Sequence, residues 1–249
     1  MHILVFTGGN SPLPHNTVFY SSRAPELDYV IAADSGLDTL EAFRHFYGNS
    51  YDLSPDFIIG DMDSLRDMSL LQKYADVPSE IYNRDKNFTD TELALQKAVS
   101  LLPKEGNNRI TLIGGGGGEY ADHFLGIIDT FATPYHADFW LCGQQAICYL
   151  GKDMRLEVSN VRPEQRISVA RVPSFYTGGV IETEGLEWES RVFRKEGMPS
   201  ISNRIATAHS SHASAQQNAS AQQKVTFTVR EQAFLVIVPI TAILKKEMI

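Results

Sequence analysis

The sequence is short of several things, and each shortage narrows what the chain can be. Its 249 residues include only two cysteines, Cys142 and Cys148. That excludes a disulfide framework, and their spacing fits neither a zinc site nor a Cys-x-x-Cys redox pair; both are read as buried small hydrophobes. Positive charge is scarce, with 22 Lys and Arg against 30 Asp and Glu for a net charge of -8. No basic field is available to hold a polyanionic backbone, so nucleic acid is not an expected partner. A small phosphate ligand stays open, because backbone amides and a divalent cation hold phosphate in an acidic protein. Long apolar runs are missing too. The stretch Ala233 to Leu244 contains Pro239 and falls short of the roughly 20 residues that span a bilayer. Ile3 to Phe6 is too short for a signal peptide and has no basic leader, so a cytoplasmic protein without a membrane partner is expected. The common nucleotide fingerprints are absent. There is no G-x-x-x-x-G-K-[ST], and the run Gly114 to Gly118 is not followed by the acidic residue that a dinucleotide fold places after its next strand. Asp34-Ser35-Gly36 is not part of a G-x-S-x-G elbow, which excludes a serine hydrolase of that type.

What is present is the composition of a folded chain, 43% hydrophobic and 21% charged, long enough for two domains. In the first half, β-branched runs at His2 to Phe6, Tyr29 to Ala33, Asp56 to Ile59 and Arg109 to Ile113 alternate with helical patterns at Leu37 to Phe46, Ser64 to Tyr74, Asp90 to Leu101 and Asp122 to Ala132. A further strand is placed at Asp138 to Leu141. This alternation predicts an α/β domain with an open parallel sheet, and Thr89 with Glu92 forms a capping box that puts Asp90 in a first helical turn. After about Gln144 the pattern turns to short strands at Ile147 to Leu150, Met154 to Val158, Arg166 to Arg171, Gly179 to Glu182, Val225 to Val229 and Phe234 to Val238. These predict an antiparallel all-β sandwich or barrel. The expected domains are therefore 1–145, binding nucleotide, and 146–249. The Ala-, Ser-, His- and Gln-rich stretch from Ala206 to Gln223 is read as a flexible loop, and its His209 and His212 lack partner ligands for a metal site.

The chemistry-bearing residues follow the strands. Thr7-Gly8-Gly9, Asp34-Ser35-Gly36, Gly60-Asp61-Met62-Asp63-Ser64 and Gly114 to Gly118 all fall at strand carboxyl ends, which share one edge of a parallel sheet, where ligands bind. Asp61 and Asp63, one residue apart, point to the same side of an extended segment and suit magnesium, with Asp90 as a third carboxylate. Taken alone, the pair also reads as an acidic turn with Ser64 capping a helix. The glycines let the backbone approach a ligand, with amides free to face phosphate oxygens. Asp122-His123 either touches the nucleotide or caps its helix.

Ala33-Asp34-Ser35-Gly36, Gly60-Asp61-Met62-Asp63-Ser64, Thr89-Asp90-x-Glu92-Leu93-Ala94-Leu95, Asp122-His123-x-Leu125, Gly185-Leu186-Glu187-Trp188 and Ser200-Ile201-Ser202-Asn203 occur in the order seen in thiamine pyrophosphokinases, and in these motifs the chain resembles that family along nearly its whole length. The resemblance implies transfer of a diphosphoryl group from ATP to thiamine with magnesium, giving AMP and thiamine diphosphate, by a homodimer with active sites between subunits. It implies Asp61, Asp63 and Asp90 as catalytic and metal-holding residues. The nucleotide would meet Asp34, Ser35, Gly36, Gly115, Gly116, Gly117, Asp122 and His123, and the C-terminal β domain would offer thiamine Trp188, Ser200, Ser202 and Asn203. For Trp188 a buried core aromatic is the plainer reading, and for the serines and Asn203 a polar turn. The chain departs from the family pattern at Glu119 and Tyr120, where a phosphate-facing arginine is usual, at Asn87 in place of a carboxylate, and at Ile127 in place of an asparagine. Because fold does not fix substrate, diphosphoryl transfer to another small alcohol such as a hydroxymethyl pterin stands as the nearest alternative, and a catalytically silent thiamine- or nucleotide-binding protein as the next.

Overall fold

The structure, a computed structural model, describes residues 1–16, 27–83, 87–117, 121–206 and 224–249. Expectations resting on Gly118, Glu119, Tyr120, His209, His212 and nearly all of the 206–223 loop lie outside those residues. The chain forms two compact units that meet in sequence at Gln144 and Gln145.

In the N-terminal unit, β1 (His2–Thr7), β2 (Tyr29–Ala33), β3 (Phe57–Gly60), β4 (Ser79–Ile81), β5 (Arg109–Ile113) and β6 (Phe139–Cys142) lie parallel in the order β6-β5-β1-β2-β3-β4. All six residues of β1 are buried, as its unbroken apolar run requires of a strand covered on both faces. Among the described residues four α-helices accompany the sheet: α1 (Gly36–Tyr47), α2 (Ser69–Lys73), α3 (Asp90–Leu101) and α4 (Ala121–Thr130). α1 buries Leu37, Leu40 and Phe43, and the Phe43 ring meets Phe6 edge-on at 5.3 Å. α3 starts at the expected capping box: Thr89 Oγ1 accepts the Glu92 amide at 3.2 Å and the Glu92 carboxylate accepts the Thr89 amide at 2.8 Å. The register pairs Thr7 with Ala33, Ala33 with Ile59 and Phe6 with Ile113. The carboxyl ends of β1, β2, β3 and β5 therefore finish nearly level, and the strand order reverses between β1 and β5, which opens the crevice that such sheets use for ligands.

The C-terminal unit is antiparallel. Its strands are β7 (Gln145–Leu150), β8 (Met154–Ser159), β9 (Ile167–Arg171), β10 (Val180–Glu184), β11 (Ser200–Asn203), β12 (Val225–Glu231), β13 (Phe234–Pro239) and β14 (Ile243–Met248). They form two sheets, β11-β9-β13-β7 and β10-β12-β8-β14. The alternating strands β8 and β12 bury Leu156 and Val158, and Val225, Phe227 and Val229, on one face, the pattern of a half-covered antiparallel sheet. Among the described residues no helix is long and apolar enough to cross a membrane. Cys142 and Cys148 are buried thiols, and burial pushes the Cys142 thiol up to about 11.

Two expectations change. The helix expected from Ser64 to Tyr74 is confined to Ser69–Lys73, because the Asp38 carboxylate accepts the amides of Arg66 and Asp67 and holds them out of helical pairing. Asp67, not Ser64, receives the first amide of the helix, from Ser69 at 3.0 Å. Strands β4, β11 and β14 were not expected. Each lies at a sheet edge, where one row of the backbone meets no neighbour and the sequence carries polar or charged residues instead of an apolar run.

At the foot of β1, His2 is 5% exposed, its Nε2 lies 3.1 Å from Thr111 Oγ1, and its Nδ1 is buried without a partner among the described residues. Burial, reinforced by the charge of Arg109, lowers its pKa from 6.5 to about 4. The unfolded chain takes up a proton below pH 6.5 that the folded chain refuses, so stability is complete above that pH and falls as pH drops toward 4. The carboxylates held below their usual range, Glu80 beside Lys97 and Glu157 beside Lys224, act only at lower pH. Urea unfolding of His2→Gln is expected to lose the decline between pH 6.5 and 4.5 that the wild type shows, a difference of about 2 kcal/mol at the acid end.

Candidate active site

Asp34 follows β2 directly, with a left-handed backbone (φ 46°). Its amide donates to the Ile59 carbonyl at 2.8 Å and its carbonyl accepts the Leu37 amide at 3.0 Å, so one residue ties β3 to the start of α1. The side chain is 8% exposed, and its Oδ1 is buried with no hydrogen-bond partner among the described residues. Past β3, Met62 is also left-handed (φ 61°) and only 6% exposed. The segment is thus a turn and not the extended run expected from the sequence: the Asp63 amide donates to Asp61 Oδ1 at 3.3 Å while the buried Met62 side chain anchors it. Ser64, rather than capping a helix, donates its hydroxyl to Asp63 Oδ1 at 2.9 Å. The result is that Asp34, Asp61 and Asp63 each bring a carboxylate oxygen within 4.8 Å of the others.

Asp90 is not in that group. It is half-buried in the first turn of α3, and a Cβ on Gly60 would stand 2.8 Å from its Oδ1 and 3.2 Å from the Cβ of Asp34. Gly60, with φ 138°, is therefore the position at which only glycine lets the two acidic residues close in. The start of α3 is also tied to β1, since Thr7 Oγ1 and Thr91 Oγ1 are 2.6 Å apart. Nothing in the spacing of the sequence pointed to that pair. Ser35 and Gly36 serve packing. A Cβ on Gly36 would meet the Phe6 carbonyl oxygen at 2.1 Å, and one on Gly8 would meet Ser35 Oγ at 2.2 Å.

The glycine run is less open than its composition implied. The Gly114 amide donates to Leu141, the Gly115 amide to Gly8 at 2.6 Å, and the Gly114 carbonyl accepts the Trp140 indole N–H at 2.7 Å. A Cβ on Gly115 would strike Ile127 and one on Gly116 would strike Cys142, both at 2.2 Å, whereas Gly117 faces open space. Three of these glycines thus permit close packing against β1, α4 and β6, and Gly117 is left exposed. Ile127, at the family's asparagine position, is a packing residue over Gly115. Asp122 and His123 are exposed in the first turn of α4, with the His123 amide on Asp122 Oδ1 at 3.0 Å; Asn87 is exposed as well.

In the C-terminal unit, Asn203 is 1% exposed and fully committed. Its Oδ1 accepts the amides of Trp188 (3.2 Å) and Arg204 (2.9 Å), and its Nδ2 donates to the Trp188 carbonyl (2.7 Å) and Ser200 Oγ (3.1 Å). An amide side chain has two donors and two acceptor lone pairs, so Asn203 has no capacity left for a ligand and positions Trp188 instead. Trp188 is 43% exposed, which sets aside the core-aromatic reading. Glu189 steadies the same turn by accepting the amides of Gly185 and Leu186 at 2.8 and 3.1 Å. Ser202 is exposed and left-handed (φ 56°), with its amide on Ser168 Oγ. The loops leading into β11 are drawn together by Arg171, which donates to the carbonyls of Gly178 (3.1 Å), Arg194 (3.2 Å), Lys195 (3.0 Å) and Gly197.

A group of three carboxylates at the level ends of a parallel sheet marks the first unit, an α/β domain, and an all-β unit that presents an exposed tryptophan follows it in sequence. Residues 21–142, just under half of the chain, match the family model of the thiamin pyrophosphokinase catalytic domain, and in that stretch the chain is similar to that family. Solved structures of similar fold include a thiamin pyrophosphokinase family protein from Enterococcus faecalis and the thiamine pyrophosphokinase of Bacillus subtilis. Each has a TM-score of 0.64 at 18% identity over 96% of this chain and 99% of the other. Thiamin pyrophosphokinase from Candida albicans has a TM-score of 0.63 at 14% identity, covering 96% of this chain and 90% of its own. No curated protein sequence matches the chain.

Asn203→Ala strips partners from both backbone groups of Trp188 and from Ser200. An expected loss of about 2–4 kcal/mol in stability follows from leaving these groups unsatisfied, checked by the urea midpoint, with a red-shifted emission from a loosened Trp188 in the native baseline.

Proposed function

We propose that the chain is a thiamine diphosphokinase, transferring the diphosphoryl group of ATP to the hydroxyl of thiamine to give thiamine diphosphate and AMP. The observation that carries this reading is the gathering of Asp34, Asp61 and Asp63 within 4.8 Å at the strand ends of a domain that matches the thiamin pyrophosphokinase catalytic family. Magnesium fits this donor set. The ligands are hard carboxylate oxygens, and Asp34, which supplies one of them, has a buried Oδ1 with no hydrogen-bond partner among the described residues. Asp34, Asp61 and Asp63 would hold the ion, with Asp90 close by across Gly60; once bound, it neutralises charge on the phosphate oxygens.

The remaining work falls to the chain. The exposed backbone at Gly117 and the first turn of α4, with Asp122 and His123, receive the nucleotide. Trp188 offers an aromatic face to the acceptor's heterocycle, which Asn203 and Glu189 keep in place. The acceptor hydroxyl oxygen bonds to the β-phosphorus of ATP as the bond from that phosphorus to the α–β bridging oxygen breaks. AMP leaves with the bridging oxygen, and the hydroxyl proton passes to a carboxylate oxygen of Asp90. Such a transfer asks for positioning and charge stabilisation more than for a strong base. The same reading makes the working enzyme a cytoplasmic homodimer.

Purified protein with ATP, magnesium and thiamine should yield thiamine diphosphate and AMP by mass, and a hydroxymethyl pterin offered in place of thiamine should not react. Formation of a pterin diphosphate, or tight thiamine binding without AMP, would refute the assignment. Asp61→Asn should lower turnover by more than about tenfold with an unchanged melting temperature. Magnesium alone should raise the melting temperature of the wild type and not of Asp34→Asn, whose side chain removes the unpartnered buried charge; equal shifts would remove Asp34 from the metal site.

A further inference from the structure

Arg204 lies over the exposed ring of Trp188, its guanidinium carbon 5.4 Å from the ring centroid. Two short segments fix that placement. The Glu187 amide donates to the Arg204 carbonyl at 2.9 Å, Leu186 bridges Ile205, and the Ala206 amide donates to Gly185 at 2.9 Å. Residues 185–187 are thus zipped antiparallel against 204–206, and Trp188, bonded on both sides to Asn203, becomes the diagonal neighbour of Arg204. Among the described residues Arg204 forms no ion pair. The stretch 207–223 that follows contains no Asp or Glu. Glu189, next to Trp188 in sequence, is occupied by Thr183 and by the amides of Gly185 and Leu186. The positive charge on the ring is therefore not cancelled by any of these carboxylates.

We propose that Arg204 is a specificity-determining residue that holds a positive charge on the Trp188 platform, so that an acceptor carrying a fixed positive charge stacks there less tightly than it would on the bare ring. This rests on the reading of thiamine, whose thiazolium is cationic, as the acceptor. Two unit charges about 7 Å apart, screened by the dielectric constant of bulk water, repel by an amount worth about threefold in affinity, and salt screens that repulsion further. Arg204 thus acts against the ground-state binding of the very acceptor the platform takes, which makes the platform more permissive toward neutral or anionic heterocycles.

The test compares wild type with Arg204→Gln, which keeps a planar polar group over the ring and removes the charge. Trp140 is fully buried, so collisional quenching reports on Trp188. Iodide should quench the wild type more strongly than caesium does, and the preference should shrink in the variant, a readout that needs no thiamine. Thiamine titrated by the same fluorescence should bind the variant about threefold more tightly, the change should fall on KM rather than on kcat, and added sodium chloride should lower KM in the wild type but not in the variant. Equal iodide preference in the two proteins, or equal or weaker thiamine binding by the variant, overturns the proposal while the thiamine reading stands. If neither protein binds thiamine, both readings fall together.

Discussion

The N-terminal site depends on one unfavourable arrangement: Asp34 buries a carboxylate oxygen that has no hydrogen-bond partner among the described residues, and the same side chain brings a carboxylate oxygen within 4.8 Å of those of Asp61 and Asp63. Such an arrangement costs the fold free energy, through desolvation and like-charge repulsion, unless a cation or a set of donors arrives to offset it. The backbone around it is correspondingly over-determined. Asp34 is tied to β3 and α1, Met62 is pinned by burial, and Gly60 leaves room for Asp90. Left-handed geometry at Asp34 and Met62 is tolerated because each is anchored by the rest of the sheet edge, the usual condition for strain to persist at a site.

The second unit handles polarity the opposite way. Asn203 is buried with all four hydrogen bonds made, Glu189 is consumed by amides of the neighbouring turn, and Arg171 gathers four carbonyls. These side chains resemble ligand-binding residues by type, yet their hydrogen-bonding capacity is turned inward to hold loops that lack regular pairing of their own. What they leave outward is an aromatic ring with a cation on it. The Trp188 turn is thus rigid support under a small exposed surface, which is how an exposed ring keeps its orientation without a surrounding sheet.

The glycine run shows how composition misleads when topology is not in hand. Five consecutive glycines invite a phosphate cradle, but three of them sit where β1, β6 and α4 approach so closely that any Cβ would collide. Among the described glycines of the run only the last, Gly117, faces open space. Likewise, Asp61 and Asp63 converge through a turn around a buried methionine and not through strand alternation, so their nearness was rightly anticipated on the wrong geometry.

The sequence by itself determined the fold class, the four central parallel strands, the capping box at Thr89 and the segments that reach the sheet edge, because these follow from local signals: apolar periodicity, cap chemistry, and the rule that parallel strands share a carboxyl-terminal edge. It also carried the family resemblance, through short motifs kept in order. Only the tertiary structure decided that Asp34 and not Asp90 completes the three-carboxylate group, that Asn203 is spent on Trp188, that Thr7 meets Thr91, and that Arg204 lies on the tryptophan. Each of these is a contact between residues distant in sequence or a count of hydrogen-bonding capacity, and neither leaves a periodic mark on the chain. The edge strands β4, β11 and β14 escaped for a related reason: their pairing is supplied by a neighbour rather than by an apolar pattern of their own.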